Sequence, residues 1–174
     1  MDLSKLTTSD KVIGISGIVL FLASFLAWFT VEVKTSVSGI GGSASANGWD
    51  VGFLWAGLPA LLGLAAAVIV LLPKLSEVEL PDLPFPWGTA LFGAGVWSAF
   101  FVVLKFLIGV DGPSSVSGAG YSVDVSRSFG LFLAVISSIA FAVGGFMRFK
   151  EDGGEFPSKG TGGTGDTGTG SAPF

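Results

Sequence analysis

The longest apolar run of the chain, WGTALFGAGVWSAFFVVLKFLIGV from Trp87 to Val110, constrains the fold more than any other stretch. Its one charged residue is Lys105. As an α-helix this run would be ~36 Å long at ~1.5 Å per residue, enough to cross a hydrocarbon core of ~30 Å. A run this long and this apolar predicts a membrane-spanning helix.

Three further apolar runs predict a bundle of four spanning helices in up-down order. The four predicted spans are 11–31, 51–72, 87–110 and 127–149. We therefore expect an all-α membrane protein over residues 1–149. A Gly/Thr-rich tail over 150–174 should be disordered, because it has little apolar surface to bury. The first run is longer than the apolar core of a signal peptide, so we interpret it as a retained anchor.

Small residues and one proline predict how these helices pack. Gly63 and Ala67 lie four positions apart, a spacing that allows two helix backbones to approach closely, within one molecule or between copies. Pro59 lies inside the second run and predicts a kink, because it leaves the carbonyl of Trp55 without a helical N–H donor. At the start of the first run, Ser9 or Asp10 could cap the helix.

Composition agrees with a membrane protein and removes several kinds of chemistry. Hydrophobic residues make up 50% of the 174 positions and charged residues 13%, and the mean hydropathy is +0.75. The chain has no cysteine, which excludes disulfides and thiolate metal sites, and no histidine, the commonest general base. No basic cluster indicates nucleic acid. We expect no enzymatic activity, no cofactor and no metal, and we assign no catalytic residue.

The two long loops, residues 32–50 and 111–126, carry short strand patterns. Valines alternate with polar residues over 31–37, and apolar and polar residues alternate again over 121–125. We expect these two segments to pair as a small β-element at the outer surface, because the adjoining helices bring them together. A flexible Gly/Ser loop is the alternative for the first of them.

Basic residues near the predicted membrane boundaries indicate the orientation. Lys5, Lys11, Lys74, Arg148 and Lys150 lie on the side of the termini, whereas Lys34 and Arg127 lie on the other side. The positive-inside rule therefore predicts a multi-pass protein of the cell membrane with both termini in the cytoplasm and both long loops outside.

Lys105 is the candidate functional residue, because it is the ionisable side chain that lies well inside a predicted span. It shares a helical face with Ala94 and Ser98, so we expect it to point into the bundle. Its candidate partners at the outer boundary are Glu32, Asp50 and Asp111. This intramembrane charge cluster has two interpretations. Lys105 is either a snorkelling lysine held by a carboxylate or a contact for a transported ion or substrate.

Two resemblances concern the first half of the chain. The FLAWF end of the first run, followed by a Gly/Ser loop ending in NGWD at Asn47–Asp50, resembles small bacterial four-helix membrane proteins of uncharacterised function, over residues 11–72. That resemblance implies a fold and no activity. The loop layout is also similar to that of claudins, with Gly48-Trp49 and Leu54-Trp55 resembling their tryptophan motif, although the chain lacks their paired loop cysteines. The claudin layout implies a junction role.

These features favour a non-enzymatic membrane protein with a structural or protein-interaction role, which presents its outer loops to partners. The expected partners are the lipid bilayer, further copies of the chain and other membrane proteins. The alternative is a small transporter or channel subunit that works as an oligomer around Lys105. Polar residues are scattered singly through the apolar runs and do not form a continuous stripe, which favours the interaction role.

Overall fold

The computed structural model describes residues 6–36, 41–76, 84, 86–110, 114–118 and 120–154. Over these residues the chain forms five α-helices and four β-strands. In chain order they are α1 Thr8–Ala23, β1 Ala27–Thr35, β2 Gly42–Asn47, α2 Gly48–Val51, α3 Leu58–Leu75, α4 Trp87–Ile108, β3 Ser115–Gly118, β4 Tyr121–Arg127 and α5 Phe129–Glu151. A π-helical turn, Phe53–Gly57, leads into α3.

The four long helices pack side by side around one apolar core. α4 packs extensively against α5, and α1 lies against both α3 and α5. Ile13, Leu20, Val102 and Phe141 are among the fully buried side chains of this core. At one end of the bundle, which we call the sheet end, the core continues into the strands through buried Trp28.

Three helices of the described chain are long and apolar enough to cross a membrane: Phe53–Lys74, Trp87–Ile108 and Phe129–Glu151. The prediction of four spans is therefore wrong. The run 11–31 stops being helical at Ala23, and its last residues belong to β1. α1 has 16 residues, fewer than the ~20 that a spanning helix needs. At ~1.5 Å per residue it is ~24 Å long, which is less than the ~30 Å of a hydrocarbon core. α1 is a shorter helix that packs against α3 and α5.

The prediction of an all-α fold is also wrong, because the described residues include a four-stranded antiparallel sheet in the order β2-β1-β4-β3. The predicted pairing of the two loops is confirmed over the described residues. Val31 pairs with Val125 and Val33 with Val123, whereas the predicted end of the first strand at residue 37 lies outside the described residues. The outer strands β2 and β3, with sequences GSASAN and SVSG, were not predicted because small polar residues give no alternating apolar pattern.

Pro59 follows the π-helical turn, and the kink predicted there stays a prediction. Pro59 occupies the first turn of α3, where its missing N–H costs little. The N–H of Leu58 donates five residues back to the carbonyl of Phe53. Gly52, with φ 127°, precedes this turn in a conformation that favours glycine. The second predicted span therefore begins as a π-helical turn at Phe53.

The closest approach of α1 to α3 is at Gly17 and Gly63. A Cβ atom added to Gly17 would overlap the carbonyl oxygen of Gly63 and lie 3.3 Å from the Cβ of Ala67. Gly63 and Ala67 on α3 thus allow the close approach of helices that their spacing predicts. The helix that they contact is α1 of the same molecule. Because backbone lies against backbone, neither helix can yield by changing a rotamer.

We expect Gly17→Ala to lower the thermal unfolding temperature of the purified protein, because the added methyl group must separate α1 from α3. Overpacking of this kind costs about 1–3 kcal/mol. Gly93→Ala is the matched control, since a Cβ atom on Gly93 meets nothing within 4 Å. Its unfolding temperature should be unchanged or raised, because alanine favours helix over glycine. Equal effects of the two changes would contradict a tight contact at Gly17.

Candidate functional site

The sheet is joined directly to the helical bundle. β4 passes into α5 through Ser128, whose N–H donates to the carbonyl of Trp28 at 2.8 Å. The hydroxyl of Ser128 lies 2.6 Å from that of Thr30 on β1. A Cβ atom on Gly130 would lie 2.6 Å from the carbonyl oxygen of Ala27, so the first turn of α5 rests against the start of β1. The sheet and the bundle therefore form one rigid unit at this join.

Trp28 fixes β1 to the end of α1. Its side chain is fully buried, and its indole N–H donates to the carbonyl of Ala23 at 2.9 Å. Ala23 is the last residue of α1, where carbonyl groups have no further helical donors. The same side chain thus fills the core under the sheet and satisfies the helix terminus.

The NGWD segment ties β2 back to the same place. Asn47 caps α2, accepting from the N–H groups of Trp49 at 2.8 Å and Asp50 at 3.1 Å. Asp50 in turn accepts from the N–H of Asn47 at 2.9 Å, which completes a reciprocal capping box. Gly48 donates to the carbonyl of Ser24 at 2.9 Å, and the indole of Trp49 donates to the Ser24 hydroxyl at 3.1 Å. The segment is a structural clamp between α1 and β2.

The two faces of the sheet differ in polarity. One face carries Thr30, Glu32, Lys34, Ser122, Asp124 and Ser126, and the other carries Phe29, Val31, Val33, Val116, Val123 and Val125. On the polar face Lys34 lies 3.2 Å from Glu32 and 4.0 Å from Asp124. On the apolar face Phe29 is buried and Val125 packs against the core. This alternation is that of an antiparallel sheet whose apolar face is covered near the bundle, at Phe29 and Val125, whereas Val33 and Val116 further out are exposed.

Among the described residues, no strand pairs with the outer side of β2. In an antiparallel sheet each residue directs its N–H and C=O to the same neighbouring strand, and successive residues alternate. The carbonyl of Trp28 and the N–H of Ser36 both bond on the β4 side, so even-numbered residues of β1 face β4 and odd-numbered residues face β2. Ser43 and Ser45 lie opposite even-numbered residues of β1. Their backbone groups therefore point away from the sheet, and both residues are exposed.

The same holds for the outer side of β3, with which no described strand pairs. The N–H of Val125 donates to the carbonyl of Ser114 at 2.8 Å, so odd-numbered residues of β4 face β3. The register then directs the backbone groups of Ser115 and Ser117 outward, and both residues are exposed. Each edge of the sheet thus presents two serines.

Lys105 lies in the last turn of α4, at the sheet end, and is 5% exposed. Its Nζ lies 5.5 Å from the ring centroid of Trp55, which belongs to the π-helical turn. The Trp55 ring also meets Phe101 edge to face, with centroids 5.8 Å apart. Two turns earlier on α4, Ser98 is fully buried, and within the described chain its hydroxyl has no hydrogen-bond partner. Lys105 is thus a buried cation against an aromatic ring.

Of the carboxylates predicted to accompany Lys105, Glu32 and Asp50 contact other groups. Glu32 pairs with Lys34 on the polar face of the sheet. Asp50 caps α2. Asp111 lies outside the described residues. A charge cluster around Lys105 stays a prediction.

A buried ion pair holds the opposite end of the bundle, where α1 begins and α5 ends. The Asp10 side chain is 1% exposed, and its Oδ1 lies 2.8 Å from Nη1 of Arg148. Its Oδ2 accepts from the N–H of Thr7 at 3.1 Å, and the Thr7 hydroxyl accepts from the N–H of Asp10 at 3.2 Å. Thr7 is therefore the helix cap, which corrects the expected cap at Ser9 or Asp10. The Thr-x-x-Asp spacing of a capping box was the available sequence signal.

The same end links three helices through polar contacts. Asp152 lies 3.3 Å from Nε of Arg148, and it accepts from the N–H of Gly88 in the first turn of α4 at 2.8 Å. Ser9 donates to Glu151 at 2.6 Å. Ser9 and Gly88 are far in the sequence from Arg148, Glu151 and Asp152, and at the sequence level Arg148 served as an indicator of orientation alone. This network was therefore not predicted.

Comparison with protein-family models, with curated proteins and with solved structures finds no match to the chain. The resemblances to bacterial four-helix membrane proteins and to claudins stay predictions.

We expect Arg148→Gln to destabilise the protein, because Asp10 would remain buried without its cation. Removing one partner of a buried pair costs ~3–5 kcal/mol, and the partial exposure of Arg148 places this case toward the lower end. The double variant Asp10→Asn with Arg148→Gln should recover part of the loss in a thermal unfolding cycle. Lys74→Gln removes a lysine at the same end of the bundle that forms no ion pair among the described residues, and as the control it should change little. Additive single effects would show that the pair is not coupled.

Proposed function

We propose that the chain is a non-enzymatic multi-pass protein of the cell membrane that holds a four-stranded sheet at the outer surface and offers its edges to an extended segment of a partner protein. The observation that carries the proposal is the sheet itself. It is joined to α1 and α5 without flexible linkers, and its backbone groups at Ser43, Ser45, Ser115 and Ser117 point outward.

The edge strands suit strand addition. Proteins that avoid edge pairing place charged residues or proline on the outer strands, and β2 and β3 contain neither. The four outward-facing serines have small side chains, so a partner backbone can come within hydrogen-bonding distance. In strand addition the main-chain bonds supply affinity, and side-chain contacts on the two faces supply specificity.

The attachment of the sheet to the bundle favours binding of a partner strand. A strand that is already held in its extended form loses little conformational entropy when a partner pairs with it. β1 is paired on both sides, and Trp28 and Ser128 fix it to the bundle. The edges are therefore presented by a preorganised support.

The proposed orientation places the sheet end outside and the opposite end in the cytoplasm. The contact of Asp10 with Arg148 brings the start of α1 and the end of α5 to the same end of the bundle. Lys11, Lys74, Arg148 and Lys150 lie there, and the positive-inside rule counts such residues irrespective of nearby acids. This supports cytoplasmic termini.

The interior favours the interaction role over a transporter around Lys105. A transport path needs polar groups that face a common cavity. Four of the buried serines on or next to α1 and α5 instead donate to nearby carbonyls of the same helix: Ser16 to Val12, Ser24 to Phe21, Ser137 to Leu133 and Ser138 to Val135. A fifth, Ser9, donates to Glu151. Among the described residues of α4, the buried polar side chains are Ser98 and Lys105, which lie two helical turns apart and do not form a continuous polar path.

Proline substitution tests the role of the β2 edge. Ser45→Pro removes an outward N–H that takes no part in the sheet, so the protein should fold as before while strand addition at β2 is blocked. Ala44→Pro is the matched control, because the N–H of Ala44 faces β1 and its loss should destabilise the sheet. Crosslinking in native membranes with mass spectrometry should recover a partner with the wild type and lose it with Ser45→Pro. Undiminished recovery with Ser45→Pro and Ser117→Pro combined would contradict the proposal.

Cysteine labelling tests the orientation, since the chain has no native cysteine. Ser43→Cys and Ser115→Cys lie at the sheet end and should react with an impermeant maleimide on intact cells. Ser76→Cys follows α3 at the opposite end and should react after the membrane is opened. All three serines are exposed, so access through the membrane decides the result. The reverse pattern would overturn the proposed orientation.

A further inference from the structure

A groove between α1 and α5 carries an inference that is independent of the sheet edges. Its volume is about 350 Å³. Ser16 and Ser137 form its floor, and each is 4% exposed. Ile15 and Ile136 form its rims, 65% and 66% exposed. The groove exists because small side chains on the two helices face each other at its floor. We propose that it binds an acyl chain of an anionic phospholipid, with the lipid phosphate at Lys11.

The lining of the groove suits an apolar chain. Although two serines lie at the floor, their hydroxyls are turned into their own helices. Ser16 donates to the carbonyl of Val12 at 2.6 Å and Ser137 to that of Leu133 at 2.7 Å. Because these donors are already satisfied, the wall offers the ligand little but methyl and methylene groups. A polar solute would lose hydrogen bonds with water there and gain none.

The groove opens on the side of α1 and α5 that would face the hydrocarbon core of the membrane, where acyl chains are found. α5 is one of the three helices that are long and apolar enough to cross a membrane. Its exposed Ile136 therefore lies against hydrocarbon, and so does Ile15 on the adjacent α1. An unfilled groove would deprive its lining of packing contacts, and a flexible acyl chain can follow its shape.

Lys11 gives the groove a charged end. Thr8 and Lys11 line it at the start of α1, and both are exposed. Among the described residues Lys11 forms no ion pair. The nearby acids are engaged elsewhere, since Asp10 pairs with Arg148 and Glu151 accepts from Ser9. An ammonium group at the membrane surface, above an apolar groove, favours a phosphate headgroup with net negative charge.

The charge also argues against a helix of a second copy as the occupant. Two copies in one membrane have the same orientation, and a two-fold contact would place the same face of α1 on both sides. Lys11 of one copy would then lie at the same depth as Lys11 of the other. Like charges at this contact disfavour it, whereas an anionic lipid neutralises the lysine.

Brominated lipids test the site in reconstituted vesicles. The protein carries Ile136→Cys with a fluorophore at the groove rim. The vesicles are phosphatidylcholine with a small share of brominated phosphatidylglycerol or brominated phosphatidylcholine. We expect brominated phosphatidylglycerol to partition to the label about fivefold more strongly, the effect of one lysine near a membrane surface. Lys11→Gln should bring the two lipids to equality, and Lys11→Arg should keep the preference.

Three controls make the result specific. Lys74→Gln removes a lysine at the same end on α3, outside this groove, and should leave the preference unchanged. Ser137→Leu fills the floor and should reduce quenching by both lipids, with folding checked by thermal unfolding. Inorganic phosphate in the buffer should not remove the preference, since the acyl chain supplies part of the binding.

The proposal is overturned by equal quenching in the wild type or by a preference that survives Lys11→Gln. Loss of the preference in inorganic phosphate would instead assign Lys11 to a free anion and also overturn it. Disulfide-linked dimers through unlabelled Cys at position 136 would identify a second copy as the occupant. None of these outcomes depends on the sheet edges, so the proposed function is tested separately.

Discussion

The sheet end of this protein depends on β1, the strand that leaves α1 and is bonded on both of its sides. Trp28 anchors it by filling the core and donating to the carbonyl of Ala23. Because β1 is fixed, β4 is fixed through the bond of Ser128 to Trp28, and α5 must begin where β4 ends. β2 is fixed by the same strand and by the Asn47–Asp50 cap. The position of the open edges relative to the helices follows from this strand.

The two ends of the bundle are held by different interactions. The sheet end uses backbone hydrogen bonds, whose geometry is set by strand pairing and which leave unpaired groups at the edges. The opposite end uses charged side chains, because Asp10 is buried there and needs the cation of Arg148. Between the ends, α1 and α3 meet backbone to backbone at Gly17 and Gly63. The bundle is thus held by different contacts at its two ends and between them.

The two proposals use separate surfaces. Strand addition would occur at Ser43, Ser45, Ser115 and Ser117, beyond the ends of the helices. Lipid binding would occur between α1 and α5, with Lys11 at the end where α1 begins. α1 links them, because its short length lets the chain enter the sheet at Ala27 while its start remains beside the end of α5. A longer first helix would carry β1 away from the bundle end.

The sequence by itself determined three of the apolar helices, predicted over 51–72, 87–110 and 127–149, because their composition suits hydrocarbon whatever they pack against. It also determined the pairing of β1 with β4, because Val31, Val33, Val123 and Val125 alternate with polar residues. Only the tertiary structure decided that Ala27–Val31 is strand and not helix, since this apolar segment fits either until strands bond to both of its sides. Likewise, the outward serines depend on register, and the contact of Asp10 with Arg148 joins residues at opposite ends of the chain. Such features arise from long-range pairing, which local composition does not encode.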